Sequence, residues 1–150
     1  MPKVRISPQL RDFVAERAFY CCEYCWSQAD FSTEPFSVEH IIALSRGGAN
    51  THENMAFACG GCNGHKYAIT EAIDPLENVF VPLFHPRKQR WLDHFQWNSD
   101  YTLILGITPI GRATVEALKM NRPSLINLRK ALYVYGEHPP AIFDYQRVIK

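Results

Sequence analysis

The chain has 150 residues, of which 47% are hydrophobic and 13% aromatic, and its formal net charge is +1. This composition excludes a disordered chain and a protein that holds nucleic acid by charge alone, and the length suits one domain with its own core. No apolar run approaches the roughly 18 residues of a membrane span, and the first residues lack a signal peptide's apolar region. We therefore expect a cytoplasmic protein with no membrane partner.

The first predicted element is an amphipathic helix over residues 8–19. Ser7 followed by Pro8 is typical of an N-cap and a first helical position. The apolar side chains that fall on one face of this helix are Leu10, Phe13, Val14 and Ala18. This helix leads into the first cysteine cluster.

Four of the five cysteines form two pairs of identical spacing, and these pairs are Cys22 with Cys25 and Cys59 with Cys62. Two residues between cysteines let both sulfurs of a tight turn face one ion, and four thiolates bind zinc tetrahedrally. A reducing compartment disfavours disulfides, so the sequence predicts a structural zinc site. Four thiolates leave no open coordination position, so this zinc is not the catalyst. Cys21 has a poorer spacing to Cys25 than Cys22 has, and it is predicted to be a small buried side chain.

The segment between and after the cysteine pairs predicts a ββα unit. A strand is expected over residues 36–42, a loop over 45–50 and a second strand over 55–58. A helix over residues 63–72 follows, and the turn at Asp74 and Pro75 closes it.

A hairpin and two helices are predicted beyond this unit. Strands over 95–97 and 102–105 flank a turn at residues 98–100. One helix begins at Thr108 and Pro109, and a second begins at Pro123 and ends before Gly136. An extended tail starts at His138. We find no linker.

The predicted fold is thus α+β in a single domain over residues 1–150. Its core covers about 20–72, and a C-terminal hairpin and helical extension covers about 73–150.

Residues 82–97 interleave aromatic and basic side chains. Such a mixture can stack on bases and pair with phosphates, and Arg87, Lys88 and Arg90 are its candidate contacts. An aromatic core with a basic rim has the same composition. Five further basic residues lie in the predicted C-terminal helices, and they form either a basic face for contact with a nucleic-acid backbone or an ordinary solvated surface. They are Arg112, Lys119, Arg122, Arg129 and Lys130.

Residues 22–66 resemble the HNH endonuclease family. The features that carry the resemblance are the two cysteine pairs, the acid–histidine pair, the glycine pair, the following asparagine and the Cys-Asn-x-x-Lys ending. In this chain the features between and after the knuckles are Glu39-His40, Gly47-Gly48, Asn54 and Cys62-Asn63-Gly64-His65-Lys66.

This resemblance implies a ββα-metal core, also called a His-Me finger, and a metal-dependent endonuclease. His40 would be the general base, since an imidazole titrates near neutral pH. Glu39 and Asn63 would bind the catalytic Mg²⁺ or Mn²⁺, and Asn54 would fix the loop that orients His40. Asn63 makes the chain resemble the H-N-N variant, with His65 as the rival ligand.

Two features bear on these implied roles. The family more often has aspartate where this chain has Glu39, which affects the geometry of the metal ligand. Adjacent residues of a strand point to opposite faces, so Glu39 and His40 serve one site only where the strand twists or ends.

The implied partner is nucleic acid, with DNA as the expected substrate and RNA left open. Lys66 and Arg46 are the expected phosphate contacts beside the site. The alternative function is a zinc-stapled nucleic-acid-binding module that is catalytically inactive or needs a partner.

Overall fold

Residues 5–143 are described by the computed structural model of the protein, and they form a mixed α+β fold with three two-stranded antiparallel sheets. The predicted α+β class is confirmed. None of the helices in this part of the chain is long and apolar enough to cross a membrane. The predicted tail that begins at His138 is described as far as Phe143, and residues 144–150 lie outside the described residues.

The ββα unit consists of β1 (Ser37–His40), β2 (Met55–Ala58) and α2 (Gly60–Lys66). The two strands are antiparallel, with His40 opposite Met55 in the register. The predicted helix over 63–72 is wrong at both ends. Cys59 is the N-cap of α2, and Tyr67, whose φ is 50°, ends it.

Helix α1 (Pro8–Arg17) packs beside this unit and confirms the predicted N-cap, since the backbone N–H of Leu10 donates to Ser7 Oγ at 3.1 Å. Its Val14 is fully buried, whereas Phe13 is 43% exposed, contrary to the predicted apolar face. Arg17 joins the helix to the start of β2, because its guanidinium donates to the carbonyl oxygen of Met55 at 2.7 Å.

An unpredicted hairpin follows α2 and is formed by β3 (Glu71–Ile73) and β4 (Phe80–Pro82). Asp74 fixes its turn, since its carboxylate accepts the backbone N–H of Leu76 at 3.1 Å. The same carboxylate accepts two N–H groups of Arg112 at 2.9 and 2.8 Å. This contact attaches the hairpin to a later helix.

The remaining elements are α3 (Trp91–His94), β5 (Phe95–Trp97), β6 (Ile104–Gly106), α4 (Pro109–Ala117) and α5 (Pro123–Val134). The predicted hairpin of β5 and β6 is confirmed, although its second strand covers 104–106 and not 102–105. The predicted helix start is confirmed as well, since Oγ1 of the N-cap Thr108 accepts the N–H of Gly111 at 3.0 Å. Gly136 follows α5 with a φ of 74°.

The basic face suggested for the C-terminal helices is wrong, because its three arginines are each engaged by partners within the protein. Arg112 pairs with Asp74, Arg122 contacts the cysteine cluster, and Arg129 is buried and donates to the carbonyl oxygen of Met120.

One hydrophobic cluster contains residues from α1, the ββα unit and the C-terminal extension. Trp91 is a clear link within it, since its indole N–H donates to the carbonyl oxygen of Tyr24 at 2.8 Å, next to the first cysteine pair. The extension therefore packs directly on the zinc knuckle.

Candidate metal centre and active site

The four paired cysteines converge on one point in the core. Their sulfur atoms all lie within 4.8 Å of one another, and all four residues are buried. A tetrahedral zinc ion with Zn–S bonds of about 2.3 Å separates its sulfurs by about 3.8 Å. The sulfurs of Cys25 and Cys59 lie 3.7 Å apart, so the cluster fits such an ion. The cysteines therefore suit a structural zinc site.

Each pair is shaped by its own backbone. The N–H groups of Cys25 and Cys62 lie 3.5 and 3.4 Å from the sulfurs of Cys22 and Cys59. Cys21 stands apart, since its thiol donates to the carbonyl oxygen of Phe19 and burial raises its pKa to about 12. The residue is therefore a buried, protonated thiol, as its spacing predicted.

Arg122 contacts the cluster from the C-terminal extension. Its guanidinium donates to the sulfur of Cys59 at 3.2 Å and lies 3.8 Å from that of Cys62. Burial by itself lowers the pKa of Arg122, but the thiolates of Cys62 and Cys25 raise it above its usual value. Zinc with four thiolates carries a formal charge of two minus, and the guanidinium offsets part of it.

The approach of Arg122 depends on Gly61. A Cβ atom at that position would lie 2.3 Å from the arginine's Nη2, so a larger residue would displace the guanidinium. Sequence reasoning missed this contact, because Arg122 is 60 residues from Cys62 and no local pattern links them.

Asn54 pins the loop between β1 and β2. Its side-chain oxygen accepts the N–H of Ile42 at 2.9 Å, and its amide donates to the carbonyl oxygens of Ile42 and Ala49 at 2.9 and 2.7 Å. The loop needs glycine beside this amide, because a Cβ at Gly48 would lie 1.8 Å from the oxygen of Ile42. This geometry suits the loop-fixing role that the family resemblance implied.

His40 ends β1 and is partly exposed. Its Nε2 lies 2.9 Å from Oδ1 of Asn50, a loop residue that sequence reasoning did not single out. An amide oxygen can only accept, so Nε2 is the donor in this contact, and in the neutral imidazole Nδ1 is the basic nitrogen. The histidine is therefore oriented with one basic nitrogen unused by this contact.

Glu39 points into the core and contacts a different set of partners. Its Oε1 accepts the hydroxyl of Tyr24, and its Oε2 lies 3.1 Å from the ammonium of Lys66. Burial raises the pKa of Glu39, while Lys66 and Tyr24 act in the opposite direction. As strand alternation suggested, the His40 side chain has a different hydrogen-bond partner, although its backbone oxygen lies 3.4 Å from the ammonium of Lys66.

The arrangement of Glu39 bears directly on a catalytic cation. A carboxylate and an amide oxygen suit a hard cation, and Asn63 lies on α2 one turn before Lys66. The carboxylate is nevertheless already paired with an ammonium. The residues present therefore do not form a ready cation site, because a divalent cation would have to displace Lys66 from Glu39. His65, the rival ligand, is exposed on the same helix.

Lys66 itself is 1% exposed and also donates to the carbonyl oxygen of Ile41 at 2.7 Å. Its ammonium would have to leave these partners before it could contact a phosphate. Among the described residues, Lys66 is thus placed as an internal cation.

The other candidate nucleic-acid contacts differ in accessibility. Arg46, Lys88 and Arg90 are exposed, whereas Arg87 is mostly buried and paired with Glu23. Burial lowers the pKa of Arg87 to about 10, and the neighbouring charge of Arg17 contributes. The three exposed side chains are the ones that could meet a phosphate backbone without rearrangement.

Comparison with known proteins supports this description. The family model described as HNH endonuclease matches residues 22–68, which is less than half of the chain. No curated protein matches the chain. The matched segment contains both cysteine pairs, β1, β2 and α2. Residues 22–68 therefore match the HNH endonuclease family model, and the four cysteines fit its zinc-knuckle variant.

Proposed function

We propose that the protein is a metal-dependent endonuclease that hydrolyses phosphodiester bonds in DNA, with His40 as its general base. The observation that carries the proposal is the orientation of His40 by Asn50, in a loop that Asn54 fixes. The family match over residues 22–68 supports the reaction class. We place its activity in the cytoplasm, where reducing conditions keep the four zinc-binding thiols free of disulfides.

In the proposed reaction, Nδ1 of His40 takes a proton from water as the water oxygen attacks phosphorus. A new P–O bond forms, the bond from phosphorus to the 3′ oxygen breaks, and that oxygen takes a proton from solvent. The products are a 5′-phosphate and a 3′-hydroxyl. His40 then returns its proton to solvent.

A bound Mg²⁺ or Mn²⁺ would supply neutralisation of the charge on the phosphoryl oxygens and the leaving oxygen. The ligands that we propose are Glu39 and Asn63, with His65 as the alternative to Asn63. Glu39 can serve only after it has left Lys66, so substrate or cation binding must change the contacts of β1 and α2. Arg46, in the loop that follows His40, is the proposed phosphate contact beside the site.

The test is cleavage of supercoiled plasmid by zinc-loaded protein, with and without added Mg²⁺ or Mn²⁺. We expect the parent to cut, His40→Ala to lose at least about a hundredfold in rate, and the matched surface variant His52→Ala to cut normally. Zinc content measured on every sample separates loss of catalysis from loss of the fold. Undiminished cleavage by His40→Ala would refute the assigned base.

The Glu39–Lys66 pair favours a second candidate, a nucleic-acid-binding module that is inactive or needs a partner. Such a module would bind plasmid fragments in a gel-shift assay while the parent and His40→Ala both fail to cut. Cleavage by the purified parent alone would eliminate this candidate.

A further inference from the structure

A cleft of about 340 Å³ lies between the end of α1, the first cysteine pair and residues 84–92. We name it the knuckle cleft. The lining residues that matter below are Arg17, Phe19, Trp26, Arg87, Arg90 and Trp91. None of the residues proposed for catalysis lines it, so the cleft is separate from the His40 site.

The knuckle cleft has fixed aromatic walls. Trp26 and Trp91 meet edge to face, with ring centroids 6.1 Å apart and an interplanar angle of 88°. Phe143 packs against both rings, at 5.4 and 5.6 Å, and Trp91 is held by its hydrogen bond to Tyr24. Trp91 is only 8% exposed, so Trp26, which is half-buried, is the ring that can stack on a nucleobase without first becoming ordered.

The cleft also carries an excess of positive charge. Arg17, Arg87 and Arg90 line it, against the single lining carboxylate of Glu23. Glu23 is shared between Arg87 and the backbone N–H of Phe57, so it does not offset all three guanidinium groups. Arg90 is exposed and pairs with Asp93 at 3.7 Å, and an ion pair between two exposed side chains holds the guanidinium only weakly. An anionic group at the rim would therefore be attracted to this side of the cleft.

Unmet hydrogen-bonding capacity is concentrated at the same place. In the part of the chain that the structure describes, four buried side-chain nitrogens lack a hydrogen-bond partner. Three of them, Nε of Arg17, Nε1 of Trp26 and Nε of Arg87, belong to residues that line the cleft. All three are donors, but each atom is itself buried, so these side chains would have to turn before a ligand in the cleft could accept from them.

We propose that the knuckle cleft binds one unpaired nucleotide of a nucleic-acid strand, with its base against Trp26 and Trp91 and its phosphate toward Arg90. An aromatic wall and a cationic rim together match an aromatic anion. The volume lies at the lower end of the range of about 300–1,000 Å³ for small-molecule sites, which suits a single nucleotide. The choice of ligand rests on the proposed nuclease function. The preferred substrate is then a strand end, a flipped base or a single-stranded segment.

The test is titration of the zinc-loaded full chain with AMP, followed by the tryptophan indole N–H signals in NMR spectra. The chain has three tryptophans, and Trp97 does not line the cleft. We expect saturable shifts that are largest at Trp26 and Trp91. Adenosine and inorganic phosphate, titrated separately, should each bind more weakly than AMP.

Two variants at the rim and one distant control sharpen the test. Arg90→Gln should weaken AMP at least about tenfold while leaving adenosine within about twofold, because it removes only a charge-assisted phosphate contact. Phe19→Ala should weaken both AMP and adenosine, because this exposed ring lines the cleft. Lys130→Gln, which is exposed on α5 and outside the cleft, should leave AMP binding unchanged.

The absence of saturable shifts, shifts largest at Trp97, or phosphate binding as tight as AMP would each overturn the proposal. Because no step of this test measures cleavage, His40→Ala should bind AMP like the parent. If the protein binds AMP but does not cleave plasmid, the nuclease proposal is refuted and the nucleotide site stands. If it cleaves plasmid but does not bind AMP, the nucleotide site is refuted and the nuclease proposal stands.

Discussion

Replacing Lys66 by methionine removes a buried ammonium while keeping most of its apolar stem in place. Lys66 is 1% and Glu39 6% exposed, and Nζ lies 3.1 Å from Oε2. At an effective dielectric constant of about 20, two unit charges at this separation attract by about 5 kcal/mol. The cost of taking both charges out of water offsets much of that energy.

Removing one partner of such a pair leaves the other charge buried alone, which typically costs about 3–5 kcal/mol. Burial already raises the pKa of Glu39, so the carboxyl can take up a proton when Lys66 is lost. We therefore expect Lys66→Met to lower the free energy of unfolding by about 3 kcal/mol, at the lower end of this range. For a chain of this size, that corresponds to a fall in melting temperature of roughly 6–12 °C.

Urea unfolding at neutral pH and fixed free zinc measures this change, since bound zinc itself contributes to stability. The double variant Lys66→Met with Glu39→Gln should recover about 1–3 kcal/mol relative to the sum of the single variants. Tyr24 can still donate to the new amide. The Glu39–Lys66 pair would not be a stabilising buried contact if the free energy of unfolding of Lys66→Met lay within about 0.5 kcal/mol of the parent's. Additive effects of the two substitutions on that free energy would lead to the same conclusion.

Arg122→Gln should release zinc to a chelator about 10–100 times faster than the parent, with Arg122→Lys intermediate and the exposed neighbour Lys119→Gln unchanged. Equal release from parent and Arg122→Gln would contradict the charge-offsetting role. Arg112 and two backbone N–H groups lower the pKa of Asp74 to about 2 from its ordinary 3.8. The stability that these contacts contribute is therefore complete above pH 3.8 and is lost as the pH falls toward 2. The midpoint urea concentration of the parent should fall over that pH interval, whereas the midpoint of Asp74→Asn should be lower at pH 5 and change less with pH. Parallel pH profiles of the two proteins would refute the stabilising role of the Asp74 carboxylate. Asn54→Ala removes three hydrogen bonds and should cost about 1–3 kcal/mol and slow plasmid cleavage while zinc stays bound. Cleavage at the parental rate would show that the loop keeps its shape without this amide.

Much of the fold could be predicted because its signals are local. Ser7 and Thr108 cap the helices that they were expected to cap, and the strand over 55–58 was predicted at its correct bounds. The cysteine spacing identified the four buried thiols and set Cys21 aside. Asn54 bonds to the loop that its expected role required.

The errors arise where the chain reverses without a glycine or where contacts are distant in sequence. Tyr67 ends α2 with a φ of 50°, a conformation that tyrosine rarely adopts, so the helix was predicted to continue over the residues of β3. Alternation along β1 indicated that Glu39 and His40 diverge, but it could not identify Lys66 as the partner of Glu39. The arginines that seemed to form a surface are internal because their partners lie in other elements.

The contact between Arg122 and the cysteine cluster also has a consequence for protein synthesis. On the ribosome the four thiols emerge before the arginine, which follows Cys62 by 60 residues. A nascent chain that captures zinc at that stage holds it without the guanidinium, so its metal should exchange faster than in the finished protein. A fragment cut to the matched residues 22–68 would keep this immature, more exchangeable site permanently.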